Sequence, residues 1–293
     1  MKFATNSNGA ATTKLPLLLA AVVSCVSIVL ALDPGRFAFT QIDVGGHSLR
    51  MLISGRGSPT VVFETGGSPG AGGPLEYWER VQPAVSKFTS TVSYDRAGTG
   101  LSAPGPKPRD ARQVARELHA ALSAAHVEPP YLLVGHSFGG PLNRVFAGMY
   151  PDEIAGMVLL DPTQEGFIEW NQSREGHDET REDEEWKDIQ ASLDETRGSS
   201  IPPGIPVVLI TAMGPRVLPS FVTEQQREEM KAVKPMWLKF HEKWIETIPD
   251  AHHIVTYDSG HGIPFEEPGL VVRTIKQVVE RARTNPLSLR HSP

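Results

Sequence analysis

Apolar and polar positions alternate over residues 38–43 and 48–54, on either side of Gly45-Gly46-His47, and predict a β-hairpin. Further along, short apolar runs alternate with helical patterns and predict six more strands, over 59–64, 91–95, 131–134, 156–160, 206–211 and 253–257. Strands that alternate with helices form a mostly parallel sheet with helices on both faces. The pattern therefore predicts an α/β fold with the hairpin as an antiparallel edge.

Two polar segments interrupt this alternation, over residues 163–203 and 213–250. The first is acidic, with ten Asp or Glu and three Lys or Arg between Arg174 and Glu195, and is expected to present a solvated face. We expect both insertions to form a helical cap over the carboxyl ends of the strands, where open α/β sheets place their sites. Aromatic residues of the second insertion are candidates for an apolar substrate pocket: Trp237, Phe240 and Trp244.

The N-terminus has the pattern of a targeting segment. Residues 15–32 are 18 residues without a charge, and they follow Lys2 and Lys14. This pattern predicts a signal peptide or an N-terminal membrane anchor over residues 1–32, with entry to the secretory pathway and membrane contact through 15–32. A cleaved, secreted form and a retained, anchored form both stay open.

The remaining composition is that of a globular protein and limits the partners. Of 293 residues, 40% are hydrophobic and 21% charged, and the net charge of −6 argues against nucleic acid as a partner. The one cysteine, Cys25, lies in the leader, so neither an internal disulfide nor a cysteine-based metal site is expected. We expect one domain over residues 33–283 and a flexible tail over 284–293.

The sequence Gly135-His136-Ser137-Phe138-Gly139 fits the G-x-S-x-G motif between a predicted strand and a predicted helix. A sharp strand-to-helix turn needs small neighbours, and it exposes the serine hydroxyl above the sheet. Ser137 is therefore the candidate nucleophile. The backbone N–H of Phe138, at the start of the helix, is the candidate donor to an oxyanion.

Three segments together are similar to the α/β-hydrolase superfamily: the run from Tyr94 to Ser102, the Ser137 turn and the late Gly260-His261-Gly262. The resemblance covers about residues 35–283 and is closest to the branch of serine esterases, lipases, prolyl aminopeptidases and C–C bond hydrolases. It implies the α/β-hydrolase fold and an acyl-enzyme, without a metal or an organic cofactor.

The resemblance also implies the other site residues. His261, after the last strand, stands where the family carries its base. Many relatives carry the acid after the strand at 206–211, where this chain has no acid before Glu224. Asp161, at the end of the preceding strand, is therefore the candidate partner of His261, and Asp258 is the alternative. Asp95 is expected to pair locally with Arg96.

The second oxyanion donor is expected in the loop after the strand at 59–64. Where relatives often have His-Gly-x, this chain has Thr65-Gly66-Gly67-Ser68. The alignment favours the N–H of Gly67, with Ser68 as a close alternative.

These residues predict a serine hydrolase that cleaves a small-molecule carboxylic ester, including lipid esters. Serine at position 137 argues against epoxide hydrolases and haloalkane dehalogenases, which use aspartate. A non-hydrolytic ligand-binding protein on the same fold stays open. So do an aminopeptidase, a C–C hydrolase and a lyase, because all can use the same three side chains.

Overall fold

A computed structural model describes residues 38–70, 72–174, 183–215 and 223–284. The predicted leader over 1–32 and residues 285–293 of the predicted tail lie outside these ranges. Within the described ranges, no helix is both long enough and apolar enough to cross a membrane.

Over the described ranges, eight strands form one sheet in the order β1-β2-β4-β3-β5-β6-β7-β8. Their bounds are Ala38–Asp43 (β1), Ser48–Ser54 (β2), Thr60–Glu64 (β3), Thr91–Tyr94 (β4), Tyr131–His136 (β5), Ile154–Leu160 (β6), Val207–Ala212 (β7) and His252–Thr256 (β8). The β1–β2 hairpin pairs antiparallel with β4, and every other pairing is parallel. The predicted mostly parallel α/β sheet with an antiparallel edge is confirmed.

The described α-helices are Gln82–Val85 (α1), Ala111–Ala124 (α2), Gly139–Met149 (α3), Glu165–Gln172 (α4), Glu184–Arg197 (α5), Glu224–Ile245 (α6), Ile263–Glu266 (α7) and Pro268–Thr284 (α8). The α2 helix begins where a cap is available, since the Asp110 side chain accepts a hydrogen bond from the Gln113 N–H at 2.7 Å. The helices that follow β3 to β6 connect parallel strands, as the alternating pattern predicts.

Both faces of the sheet are buried, as the apolar runs require. In β5, Leu133 packs in one core cluster with residues of α2 and α3, and Val134 packs in the other with residues of α8. Neighbouring residues of a strand point to opposite faces, so a strand covered on both sides needs an unbroken apolar run. Because these strands run parallel, their carboxyl ends lie along one edge of the sheet, between the two core clusters.

The insertions contribute three described helices. The α4 and α5 helices lie between β6 and β7, and α6 lies between β7 and β8. The α4 and α6 helices contact each other through Phe167 and Trp237. The two rings lie edge to face, with their centroids 4.7 Å apart. Both helices line the cavity at the strand ends described below.

The acidic α5 helix is not simply a solvated face, contrary to expectation. Glu185 accepts a hydrogen bond from the Ser68 hydroxyl at 2.6 Å, and Asp188 accepts one from the Arg109 backbone N–H at 3.0 Å. Glu195 accepts a third from a backbone N–H at the start of α2. The spacing of charges along α5 did not reveal these contacts, because their partners lie far away in sequence. Part of the acidity of this insertion therefore fastens it to the body of the domain.

The α6 helix is attached to the sheet by a buried histidine. His241 is fully buried, with Nε2 2.8 Å from the Pro162 carbonyl and Nδ1 2.7 Å from the Thr211 hydroxyl. Burial lowers the pKa of His241 to about 4, so the ring is neutral at pH 7. A neutral ring that donates to Pro162 accepts from Thr211, whose oxygen can then accept from His253 at 2.8 Å.

We expect His241→Asn to reduce the dependence of stability on pH. Between pH 6.5 and 4 the unfolded chain protonates this histidine while the folded protein does not, so the stability of the wild type falls as pH falls. The shift to about 4 corresponds to a loss of up to about 3 kcal/mol across this window. Urea unfolding at pH 4.5 and pH 7 measures it, with the exposed His252→Asn as control. An unchanged pH dependence in His241→Asn would contradict the assignment.

Candidate active site

Ser137 lies in the sharp turn between β5 and α3, with a positive φ of 55°. A side chain on Gly135 would lie 2.5 Å from the Gly139 carbonyl oxygen, and one on Gly139 would lie 2.6 Å from the Glu64 carbonyl oxygen. Only glycine fits at these two positions, which explains the motif in physical terms. The Ser137 carbonyl accepts hydrogen bonds from the N–H groups of Gly140 and Thr163, both at 3.0 Å. These two hydrogen bonds to the Ser137 carbonyl stabilise the strained turn.

Asp161 and His261 form a close hydrogen-bonded pair in the site. The Nδ1 of His261 lies 2.6 Å from Oδ2 of Asp161, and Asp161 is only 3% exposed. The other carboxylate oxygen accepts from the Ala212 backbone N–H at 3.0 Å and from the Trp237 indole N–H at 2.8 Å. The alternative acid, Asp258, is exposed and makes no such contact with His261.

The surroundings of Asp161 favour its ionised form. Burial raises the pKa of Asp161, but the hydrogen bond and the positive charge of His261 outweigh it, and the Trp237 indole adds to them. The net pKa of Asp161 is below its usual value. An ionised Asp161 fixes the proton on Nδ1 of His261 and leaves Nε2 as the basic nitrogen.

A second histidine connects the sharp Ser137 turn between β5 and α3, here called the Ser137 elbow, to the loop that carries His261. The Nε2 of His136 lies 2.6 Å from the His261 backbone carbonyl, and its Nδ1 lies 2.6 Å from the Tyr77 hydroxyl. A carbonyl only accepts, so Nε2 carries a proton toward His261. This contact is not foreseeable from the motif, where His136 is the variable position.

The loop after β3 lies directly against the nucleophile. A side chain on Gly66 would lie 3.0 Å from the Cβ of Ser137, and Gly67 has a φ of 85°. Among the described residues, the backbone N–H groups of Gly67 and Phe138 have no hydrogen-bond acceptor. The predicted oxyanion donors thus belong to two segments next to Ser137, and both are available for a ligand.

One cavity of about 440 Å³ reaches this cluster. Its described lining is Ser137, Asp161, Thr163, Phe167, Ala212, Pro215, Arg227, Met230, Lys231, Val233, Lys234, Trp237 and His261. A volume of this size is typical of small-molecule sites. No group of three or more His, Cys, Asp or Glu side chains in the described chain is arranged to hold a metal ion.

The three predicted pocket aromatics separate in the structure. Trp237 lines the cavity, whereas Phe240 packs toward Phe167 and lies outside it. Trp244 lies below the Arg144 guanidinium, 4.6 Å from the ring centroid. Three and seven residues past Trp237 are roughly 4.5 and 10 Å further along a helix, which carries α6 beyond the cavity. Phe167 of α4 is the lining aromatic that the sequence pattern did not indicate.

A family model for the α/β-hydrolase fold matches residues 60–193, which include the Ser137 elbow and Asp161. The chain has the α/β-hydrolase fold.

Two curated relatives and one solved structure illustrate this similarity. The chain is 28% identical over 229 residues to the uncharacterized protein YqjL of Bacillus subtilis (strain 168), covering 76% of this chain and 85% of YqjL. It is 30% identical over 121 residues to the pyrrolizixenacetamide deacetylase of Xenorhabdus hominickii, covering 41% of this chain and 43% of the deacetylase. A serine hydrolase involved in carbazole degradation, the CarC enzyme, has a similar fold, with a TM-score of 0.56 at 16% identity over 84% of this chain and all of that one.

In this α/β-hydrolase fold the Gly66–Gly67 loop is supported from behind by Arg96. The buried guanidinium donates to the carbonyl oxygens of Thr65 at 2.9 Å, Gly66 at 3.0 Å and Ser68 at 3.0 Å. In a trans peptide the N–H points away from its carbonyl. Because the Gly66 carbonyl faces Arg96, the N–H of Gly67 faces the opposite side.

The sequence interpretation expected Arg96 to pair with Asp95, and the structure shows a different partner. It forms a buried ion pair with Glu64 at the end of β3, and the Tyr94 hydroxyl donates to the other oxygen of the same carboxylate. Burial raises the pKa of Glu64, and the Arg96 charge opposes that rise. Asp95 instead accepts from backbone N–H groups, including Leu75 at 2.7 Å.

We expect Arg96→Met to lower the free energy of unfolding by about 3–5 kcal/mol, because it leaves Glu64 buried without its partner. Adding Glu64→Gln should recover part of this loss, since it removes the unpaired charge. Urea unfolding of both variants measures the effect, with Arg273→Met on the exposed face of α8 as control. The assignment fails if Arg96→Met unfolds at the wild-type midpoint.

Proposed function

We propose that this protein is a serine hydrolase that cleaves a carboxylic ester through an acyl-enzyme. The observation that carries the proposal is that Ser137, His261 and Asp161 line one cavity, with His261 hydrogen-bonded to Asp161. Two N–H groups without acceptors among the described residues, those of Gly67 and Phe138, lie in the segments next to Ser137. Hydrolase relatives and the cavity volume support a small-molecule substrate.

In the proposed reaction, Ser137 attacks the ester carbonyl while His261 Nε2 takes the hydroxyl proton. A bond forms between Oγ and the acyl carbon, and the carbonyl electron pair moves to oxygen. The N–H groups of Phe138 and Gly67 stabilise that oxyanion. The carbon–oxygen bond to the alcohol then breaks, and the alkoxide takes the proton from His261.

Water completes the cycle by the same route in reverse. It gives a proton to His261 as it attacks the acyl carbon, and Ser137 leaves with a proton returned from His261. Asp161 stays ionised throughout, because its hydrogen bonds and the charge of His261 hold its pKa low. Its role is to orient the imidazole and to stabilise the imidazolium.

The second candidate function is amide hydrolysis by the same groups. It is favoured by the similarity to the pyrrolizixenacetamide deacetylase of Xenorhabdus hominickii, whose name describes the removal of an acetyl group from an acetamide. Esters have the better leaving group, so the same constellation acts on them with less demand on His261 as an acid. An ester and its matched amide, assayed side by side, separate the two candidates.

We also propose that residues 1–32 direct the protein to the secretory pathway, on the strength of the uncharged run over 15–32. Cell fractionation of the full chain and of a chain lacking residues 1–32 tests this. The proposal fails if the two chains distribute alike between the fractions.

We expect a fluorophosphonate probe to label the wild type on Ser137 and to leave Ser137→Ala unlabelled. Hydrolysis of p-nitrophenyl esters should fall by at least about 10³-fold in the variant, because the nucleophile is lost. Ser123→Ala, on the exposed side of α2, is the control. Equal and weak labelling of wild type and Ser137→Ala would overturn the proposed function.

Asp161→Asn should lower kcat by about 10²–10⁴-fold with KM nearly unchanged, because the amide no longer fixes the His261 tautomer or balances its charge. Asp258→Asn is the matched control, since Asp258 is exposed near the same loop, and it should keep wild-type kcat. Steady-state kinetics on one ester decide between them. The reverse result, a large loss in Asp258→Asn alone, would transfer the role to Asp258.

A further inference from the structure

The loop that carries His261 lies between β8 and α7 and has no strand or helix of its own. Such a loop positions a side chain well only where neighbouring segments hold it. In α7, Glu266 accepts a hydrogen bond from the Gly260 N–H at 2.8 Å. The next residue, Glu267, accepts one from the Ser259 hydroxyl. These contacts join the loop to the segment that follows it in the chain, and a different residue joins it to the nucleophile.

His136 connects this loop to the segment of the nucleophile. Its Nε2 donates to the His261 backbone carbonyl at 2.6 Å, and it directly precedes Ser137 in the chain. The rings of His136 and His261 also pack together, with their centroids 4.7 Å apart. The proposed base is therefore held at its backbone and at its ring by the neighbour of the proposed nucleophile.

His136 is itself held in one orientation. It is only 3% exposed, and its Nδ1 lies 2.6 Å from the Tyr77 hydroxyl. A neutral ring that donates from Nε2 accepts at Nδ1, so the Tyr77 hydroxyl donates and fixes the tautomer of His136. The Tyr77 ring in turn packs edge to face on Phe265 of α7, with the centroids 4.4 Å apart.

The loop that follows β3 lies against the same histidine. A side chain on Gly66 would lie 3.2 Å from Nδ1 of His136 and 3.0 Å from Cβ of Ser137. His136 thus adjoins three segments that the proposed reaction uses: the Ser137 elbow, the loop of the oxyanion donor Gly67 and the loop of the base. It is not among the described residues that line the cavity.

We propose that His136 is a positioning residue, which holds the backbone and the ring of His261 so that the basic nitrogen faces Ser137. This inference rests on the proposed function and adds to it a residue outside the three reacting side chains. Because His136 lies outside the cavity lining, its loss acts on the rate of the reaction and not on the affinity for the substrate. Tyr77 supports it by fixing the tautomer that donates to His261.

The test compares two substitutions at position 136 with p-nitrophenyl butyrate as substrate. His136→Leu removes both hydrogen bonds and keeps an apolar side chain of similar size, whereas His136→Gln keeps an N–H donor and an acceptor. We expect kcat to fall by at least about tenfold in His136→Leu with KM within about threefold, because a misplaced base lowers the rate of proton transfer. In His136→Gln, kcat should return to within about threefold of the wild type.

His119→Leu is the matched control and should keep the wild-type kcat. His119 also stacks on an aromatic ring, that of Tyr150, and also contacts a hydrogen-bond partner, Glu153, but it lies on α2 and outside the cavity lining. A wild-type kcat in folded His136→Leu overturns the inference. So do equal losses in His136→Leu and His136→Gln, which would assign to His136 a packing role alone.

Urea unfolding shows which variants are folded under the assay conditions. If His136→Leu is not, Tyr77→Phe takes its place, because it keeps the ring that packs on Phe265 and removes only the hydroxyl. We expect this variant to lose at least about threefold in kcat with an unchanged KM, since the tautomer of His136 is no longer fixed. A wild-type kcat in Tyr77→Phe would then refute the inference.

A spectroscopic measurement separates this inference from the proposed function. The short hydrogen bond between His261 and Asp161 should give a downfield proton NMR signal from Nδ1–H. We expect that signal to shift or broaden in His136→Leu and to stay unchanged in His119→Leu. If wild type and Ser137→Ala hydrolyse esters equally poorly, the proposed function fails, and the NMR signal still reports on the position of His261. An unchanged signal in His136→Leu contradicts the positioning role.

Discussion

The buried ion pair between Arg96 and Glu64 is the constraint on which the site depends. Taking a guanidinium and a carboxylate out of water is costly unless both are fully hydrogen-bonded. Glu64 accepts hydrogen bonds from Arg96 and from the Tyr94 hydroxyl, and the Nη1 and Nη2 groups of Arg96 also donate to carbonyls of the loop that follows β3. Arg96 therefore holds successive carbonyls of this loop, which is the loop that carries the proposed oxyanion donor Gly67.

The rest of the site follows from the topology of parallel strands. The ends of β5, β6 and β7 lie side by side, so residues far apart in sequence meet without long connections. Ser137 follows β5, Asp161 follows β6, and Ala212 ends β7, where its N–H donates to Asp161. Ser137 and Asp161 have positive φ values of 55° and 42°, so the backbone is strained at both strand ends. The two core clusters, one on each face of the sheet, hold this strained geometry in place.

The sequence carried the features with a local signature. Apolar runs gave the strands, and the glycines around Ser137 gave the elbow, because close approach of strand and helix leaves no room for a side chain. The family resemblance indicated Asp161, because the position after β7 where many relatives carry the acid is empty until Glu224. Chain order and family resemblance then indicated His261 as its partner, and the structure places the two 2.6 Å apart.

What the sequence missed depends on distant contacts. The pairing of Arg96 with Glu64 joins residues 32 positions apart, and neighbouring Asp95 looked like the better partner. The acidic helix looked solvated because its partners, Ser68 and Arg109, lie in other segments. Phe240 and Trp244 share a helix stripe with Trp237, but a stripe does not indicate where the cavity beneath it ends. Side-chain partners set by tertiary structure leave no periodic trace in the chain.

Trp237 makes two separate contributions to the site, and a substitution at this position would alter both. Its ring forms part of the cavity wall, and its indole N–H donates to the carboxylate that orients His261. A smaller residue there would enlarge the cavity and at the same moment remove a donor that keeps Asp161 ionised. In the proposed reaction, substrate range and rate are therefore coupled at this one side chain. Efforts to redesign the selectivity of this site have more freedom on the α4 side, where Phe167 lines the same cavity without a hydrogen bond to Asp161.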